Sequence, residues 1–123
     1  MTPEDKQLLL KDLCARLPYG VKINIKSVYT RKMENTELTS YHLDGLGYNI
    51  EYRNLRPYLR PMSSMTAEEK QSYYKLMDNL HFAERSFYSP DIKDWLDEHH
   101  FDYRGLIEKG LALEAPEGMY KTD

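Results

Sequence analysis

The sequence predicts an α+β domain with a leading helix, a small antiparallel sheet and further helices behind it. Three observations carry this. Residues 2–17 hold a capped apolar stripe at helical spacing, and residues 21–26 alternate apolar and polar side chains at the period of a strand. Thr66-Ala67-Glu68-Glu69 is a helix-start signature ahead of a second helical stretch.

The first helix opens at Thr2, whose hydroxyl suits a free first-turn amide. Pro3 loses no hydrogen bond at the first helical position, and Glu4 and Asp5 meet the positive end of the dipole. Leu9, Leu10, Leu13, Cys14 and Leu17 then define one apolar stripe, and the helix is expected to stop before Pro18-Tyr19-Gly20.

Val21, Ile23 and Ile25 alternate with Lys22, Asn24 and Lys26, so one face of this strand is buried. Val28 and Tyr29 break the phase, which predicts a bulge near Ser27. Glu37–Leu43 and Tyr48–Arg53 read as two more strands, joined through Asp44-Gly45-Leu46-Gly47. Residues 21–60 thus form a meander, which leaves closure into a small barrel open.

Pro57 and Pro61 punctuate the crossing to the second helix, capped by Thr66 with Glu69 reaching back. Its core stripe is Tyr73, Leu76, Met77, Leu80 and Phe87. Ser89-Pro90-Asp91 starts a third helix with Ile92, Trp95, Leu96 and His99 on one face. Phe101–Gly105 reads as a turn, Leu106–Gly110 as one helical turn, Leu111–Ala115 as a short strand or extended arm, and the remainder as a tail. No repeat or linker interrupts this order, so residues 1–123 are read as one domain.

A chain of 123 residues supports one modest core. Its aromatic content is dominated by tyrosine, 11 residues beside 3 Phe and 1 Trp, and tyrosine suits half-buried sites and contact surfaces. Cys14 is the only cysteine, which excludes an intramolecular disulfide and points to a reducing compartment. No apolar run approaches the ~20 residues that cross a bilayer, and Met1–Leu17 lacks signal-peptide features, so the expectation is a cytoplasmic protein without membrane contact. The net charge of −3 is uneven: residues 21–61 carry seven basic against four acidic groups, residues 62–123 seven against thirteen. That asymmetry can orient a partner or support self-association, but it gives little help to nonspecific binding of a phosphate backbone.

The densest polar constellation is Asp97-Glu98-His99-His100-Phe101-Asp102. A metal site needs three or four ligands on one point, whereas adjacent histidines on a helix project about 100° apart, so His99 or His100 could join Asp97 or Asp102, but not both. A helix C-terminus, where imidazole meets the negative dipole end, is the plainer reading. His81 and Glu84 stand one helical turn apart without a second ligand pair elsewhere, which favours an exposed helical pair. Cys14 falls on the apolar stripe and reads as a buried structural thiol. Ser63, Ser64, Ser72, Ser86 and Ser89 lack a nucleophile-elbow setting, and Gly45 and Gly47 lack the third glycine and following helix of a phosphate loop. Trp95 reads as a core anchor, and Arg104 as a partner of Asp102, Glu108 or a ring. No cofactor is implied.

The candidate binding surface interleaves aromatic and basic groups across the strand region: Tyr29, Arg31, Lys32, Tyr52, Arg53, Arg56, Tyr58 and Arg60. Stacking rings beside cations hold single-stranded nucleic acid, and Tyr and Arg also dominate protein-contact hot spots. A solvated sheet face with half-buried tyrosines gives the same pattern.

Three strings also carry a resemblance: Leu13-Cys14-Ala15-Arg16-Leu17-Pro18-Tyr19-Gly20-Val21, the run from Pro57 to Met65, and the run from Trp95 to Ala112. With them the chain resembles a family of small proteins of gut Bacteroidales genomes, often in phage or mobile-element contexts. The resemblance spans nearly the whole chain and implies a bacterial or phage cytoplasmic origin. It brings no activity, cofactor or catalytic residue. The expected function is therefore a non-catalytic protein-binding or adaptor module, with a single-stranded nucleic-acid binder and a small metal-dependent or acid/base enzyme at His99 and His100 as alternatives.

Overall fold

A computed structural model of the chain describes residues 1–44, 47–78 and 90–120. In chain order it runs α1 (Pro3–Arg16), β1 (Lys22–Lys26), β2 (Met33–Glu37), α2 (Ser40–Leu43), α3 (Tyr48–Tyr52), β3 (Arg56–Leu59), α4 (Ala67–Asp78), α5 (Pro90–Glu98) and β4 (Leu113–Glu114). The α+β class holds. The sheet is mixed, not antiparallel throughout: its order is β2-β1-β3-β4, with β3 and β4 parallel, and it does not close into a barrel.

The helix starts follow the capping chemistry. The Thr2 hydroxyl accepts from the Asp5 amide while the Asp5 carboxylate accepts from the Thr2 amide. At α4 the Thr66 hydroxyl accepts from the Glu69 amide at 3.1 Å, and the Glu69 carboxylate accepts from the Thr66 amide at 2.9 Å. Each reciprocal pair satisfies two amides that a helix leaves without partners.

Three parts of the sequence reading are corrected. There is no bulge at Ser27; β1 ends there and turns through Val28–Arg31 into β2, with the Ser27 hydroxyl accepting from the Tyr29 amide. The second strand is Met33–Glu37, polar and exposed on both faces, and Thr39 caps the short α2 where the strand Glu37–Leu43 was expected. Tyr48–Arg53 is not a strand but α3, which sends Ile50 into the core and leaves Tyr48 and Tyr52 outside. Leu80, His81, Glu84, Phe87 and the expected cap Ser89 lie outside the described residues.

The core has two clusters. Leu9 and Leu13 of α1 pack with Val21, Ile23, Ile25, Ile50, Leu55, Leu59 and Leu106, while Ile92, Leu96 and Phe101 form a second cluster under Trp95, Tyr73 and Leu76. Alternation holds where strands are half buried: Ile23, Ile25, Pro57 and Leu59 face inward, and Lys22, Asn24, Arg56 and Tyr58 outward. Pro57 costs the β1–β3 ladder nothing, because Asn24 and Arg56 are the residues whose amides face one another there.

One pair short of a regular ladder, β1 and β3 are held apart by a side chain. Regular pairing would set the Lys22 amide against the Tyr58 carbonyl; instead the Lys22 amide donates to the Tyr120 hydroxyl at 2.8 Å, which donates to the Tyr58 carbonyl at 2.8 Å. Tyr120 thus stitches the C-terminal segment into the sheet. Tyr120→Phe leaves a backbone donor and acceptor without partners and is expected to lower stability by about 1–3 kcal/mol, read as a lower urea midpoint at unchanged m-value.

Candidate functional site

The residues with the most perturbed environment form a buried ionic network between α1 and α5. Asp12 and Arg16, one turn apart on α1, are both fully buried. The Arg16 Nε donates to Asp12 Oδ2 at 2.8 Å, and its Nη2 donates to the Phe101 carbonyl at 2.6 Å with Asp97 3.8 Å away. Arg104 reaches in from the far side, its Nη1 2.7 Å from Asp12 Oδ1, its guanidinium over the Tyr103 ring. The Tyr103 hydroxyl donates to Asp97 Oδ1 at 2.9 Å. Burial pushes the Asp97 carboxyl up, against the pull of Arg16, the Tyr103 hydroxyl and Arg104, and burial also raises the Tyr103 phenol. Such shifts mark functional sites and structural ion-pair networks alike. Here every carboxylate is tied to a guanidinium or a phenol, and none of these residues lines a surface depression among those described. The arrangement holds helices together.

The histidine constellation does not converge. His99 stacks on Trp95 with ring centroids 4.3 Å apart, its Nδ1 2.8 Å from the Trp95 carbonyl. His100 turns the other way at a φ of 65° and stacks on Tyr120 at 3.8 Å. Asp102 accepts from the amides of Leu106 and Ile107, capping the turn that follows. Among the described residues no group of three His, Cys, Asp or Glu side chains could hold a metal ion. Cys14, expected inside, is exposed: the buried stripe of α1 runs through Leu9, Asp12, Leu13 and Arg16.

The Tyr/Arg candidates separate into two groups. Arg60 is buried: it makes a bidentate pair with Glu69, both bonds at 2.7 Å, and lies 4.2 Å over the Phe101 ring. Arg53 donates to the Lys26 carbonyl and to Asn49, and Arg56 to the carbonyls of Leu55 and Gly110. Tyr58 donates across β1 to Asn35 Oδ1. These four brace the sheet. Tyr29, Arg31 and Lys32 sit in the exposed β1–β2 turn, Tyr29 with 93% of its surface open, and Tyr52 projects from α3 at 65%.

Tyr52 belongs to a group that strand phasing missed. Its ring lies 5.0 Å from that of Tyr48, one helical turn back, and Val28, Tyr41, Asp44, Tyr48, Asn49 and Arg53 line a shallow depression of about 240 Å³. Val28, Tyr41 and Tyr48 are exposed around it. Its base is firm: Asn49 donates to the His42 carbonyl at 2.8 Å and accepts from Arg53, coupling α2, α3 and the end of β1. The signal available in the sequence was tyrosine at positions 48 and 52, a helical spacing.

No helix among the described residues is long and apolar enough to cross a membrane. No family model matches the chain, no curated protein matches it, and no solved structure matches it.

His100 gives the site region its pH dependence. Burial first, then Arg16, His99, Arg60 and Lys22, hold it down to about 4 from an ordinary 6.5. The unfolded chain therefore takes up a proton between about 6.5 and 4 that the folded chain refuses, so stability falls across that window on acidification, by a few kcal/mol. His42, held low by burial, adds to the same slope, and Asp97, held high, opposes it at the acid end. His100→Asn keeps a residue tolerant of the left-handed backbone and is expected to flatten the urea midpoint between pH 6.5 and about 4.

Proposed function

We propose that this chain is a non-catalytic protein-binding module whose contact surface is the aromatic platform of α2, α3 and the β1–β2 turn. One observation carries the reading: Val28, Tyr41 and Tyr48 are exposed around a depression whose floor is hydrogen-bonded to the sheet, with exposed Tyr52 against Tyr48 and exposed Tyr29 next to Val28 in the turn. Exposed aromatic clusters on a rigid base are costly in water and typical of contact sites, since tyrosine brings large area at little conformational entropy. Arg31 and Lys32 place positive charge at one end of this surface, fitting a partner with an acidic rim. The resemblance to phage-associated Bacteroidales proteins supports a partner of bacterial or phage origin met in the bacterial cytoplasm.

A single-stranded nucleic-acid reading would use the same rings but needs free guanidinia for phosphates, and Arg53 and Arg60 are engaged within the fold. Affinity capture separates the readings when the wild type is run beside Tyr41→Ala/Tyr48→Ala/Tyr52→Ala, which removes exposed rings at a stability cost of about 0.5 kcal/mol per site or less. A protein retained by the wild type after nuclease and moderate salt, and bound at least about 30-fold more weakly by the variant, is the expected result. Equal retention by both proteins, or loss on nuclease treatment, overturns the proposal.

A further inference from the structure

Among the described residues the edge of the sheet at β2 has no neighbour, and its sequence is suited to pairing with itself. The amide of Ser27 donates to the Lys32 carbonyl and that of Leu38 to the Val21 carbonyl, which sets the parity of the hairpin: residues 32, 34, 36 and 38 turn their backbone groups toward β1. Met33, Asn35 and Glu37 therefore turn theirs outward, and all five residues of the strand are exposed. Natural proteins blunt such an edge with proline, a bulge, lysines or a covering element. β2 has no proline, bulge or lysine, its only charges are Glu34 and Glu37, and no element among the described residues covers it.

We propose that this edge binds a second copy of the chain, pairing β2 antiparallel to β2 about a two-fold axis at Asn35. The hydrogen-bond parity admits this register: Asn35 opposes Asn35 of the second copy and Met33 opposes its Glu37, so every outward-turned residue meets another. Charge selects it. Glu34 falls opposite Thr36 of the second copy and Glu37 opposite Met33, so no two carboxylates face each other. A slip of two residues one way sets Glu34 against Glu34, and a slip the other way carries Met33 past the end of the strand. Asn35 is already oriented for the axis. Its Oδ1 accepts from Asn24 at 2.9 Å and from Tyr58 at 2.8 Å, which turns its Nδ2 away from β1 toward the open edge, where the same amide of the second copy lies. The product is a continuous sheet in the order β4-β3-β1-β2 and its symmetric continuation. Self-pairing rests on the backbone and register of β2 and does not depend on the role of the aromatic platform.

The test is sedimentation equilibrium of the full chain across a concentration series up to about 1 mM, the range proper to an association that rests on backbone bonds and buries little apolar area. The wild type is expected to form a monomer–dimer equilibrium. Thr36→Glu places carboxylates opposite Glu34 on both sides of the axis and is expected to weaken the dimer by about ten-fold. Glu34→Lys/Thr36→Glu replaces that repulsion with attraction in the same register and is expected to restore it. Both positions are exposed, so circular dichroism should report an unchanged fold in each variant. A wild type monomeric throughout, or a dimer indifferent to Thr36→Glu, or one that the double variant fails to recover, overturns the proposal.

Discussion

Phe101 is the point on which the two apolar clusters are joined, and the join is made by arginine. Its carbonyl accepts from the fully buried Arg16 of α1, while its ring lies under Arg60 at the end of β3 and against Trp95 of α5. Its neighbours His100 and Asp102 exchange backbone hydrogen bonds with Arg60. One residue thus receives the helix of the first cluster, the last sheet position and the helices of the second. Neither guanidinium could sit there alone, because an unpaired buried charge costs several kcal/mol, so each brings a carboxylate: Asp12 one turn away on the same helix, and Glu69 from the cap of α4. Glu69 has a double task, since burial alone would raise its carboxyl, and the bonds from Arg60 and Thr66 instead bring it below its usual value. The cap of α4 and its docking onto the sheet are thereby one interaction.

This explains what the sequence disclosed and what it hid. Thr2, Thr66 and Glu69 announce helix starts because capping is a local matter of three or four residues. The alternation at Ile23 and Ile25 was readable because β1 is covered on one face. In α1 the buried stripe includes Asp12 and Arg16, which neutralise each other inside the protein, and a reading that sends charge to water rotates the helix and buries Cys14 instead. Arg60 was placed at the surface for the same reason. A charged pair inside is invisible until its partner is known to be within reach.

The segment from residue 37 to residue 53 misled for a different reason. Ser40–Leu43 and Tyr48–Tyr52 are too short to express a helical period, and tyrosine with isoleucine at 48–52 has the composition of a strand. What makes α3 a helix is tertiary: Ile50 fills the core beside Leu55, and Asn49 and Arg53 close hydrogen bonds to α2 and β1. β2 has no inward face, since it lies beyond the reach of the core, and only its backbone pairing with β1 defines it. The parallel β4 is two residues long and carries no pattern at all.

The surfaces available for recognition follow from that division of labour. Where charge is used to hold the fold, at Arg16, Arg53, Arg60 and Arg104, it is withdrawn from binding. Among the described residues outside are tyrosines on α2, α3 and the turn, and the polar strand β2, which the core does not cover. The first offers area without a fixed partner geometry; the second offers backbone groups in a fixed register with few side-chain demands. A small domain that uses most of its described arginines in internal seams keeps shape and main chain for its open surfaces, and the charges still outside, Arg31 and Lys32 at the turn and Glu34 and Glu37 on β2, can set only orientation and register there.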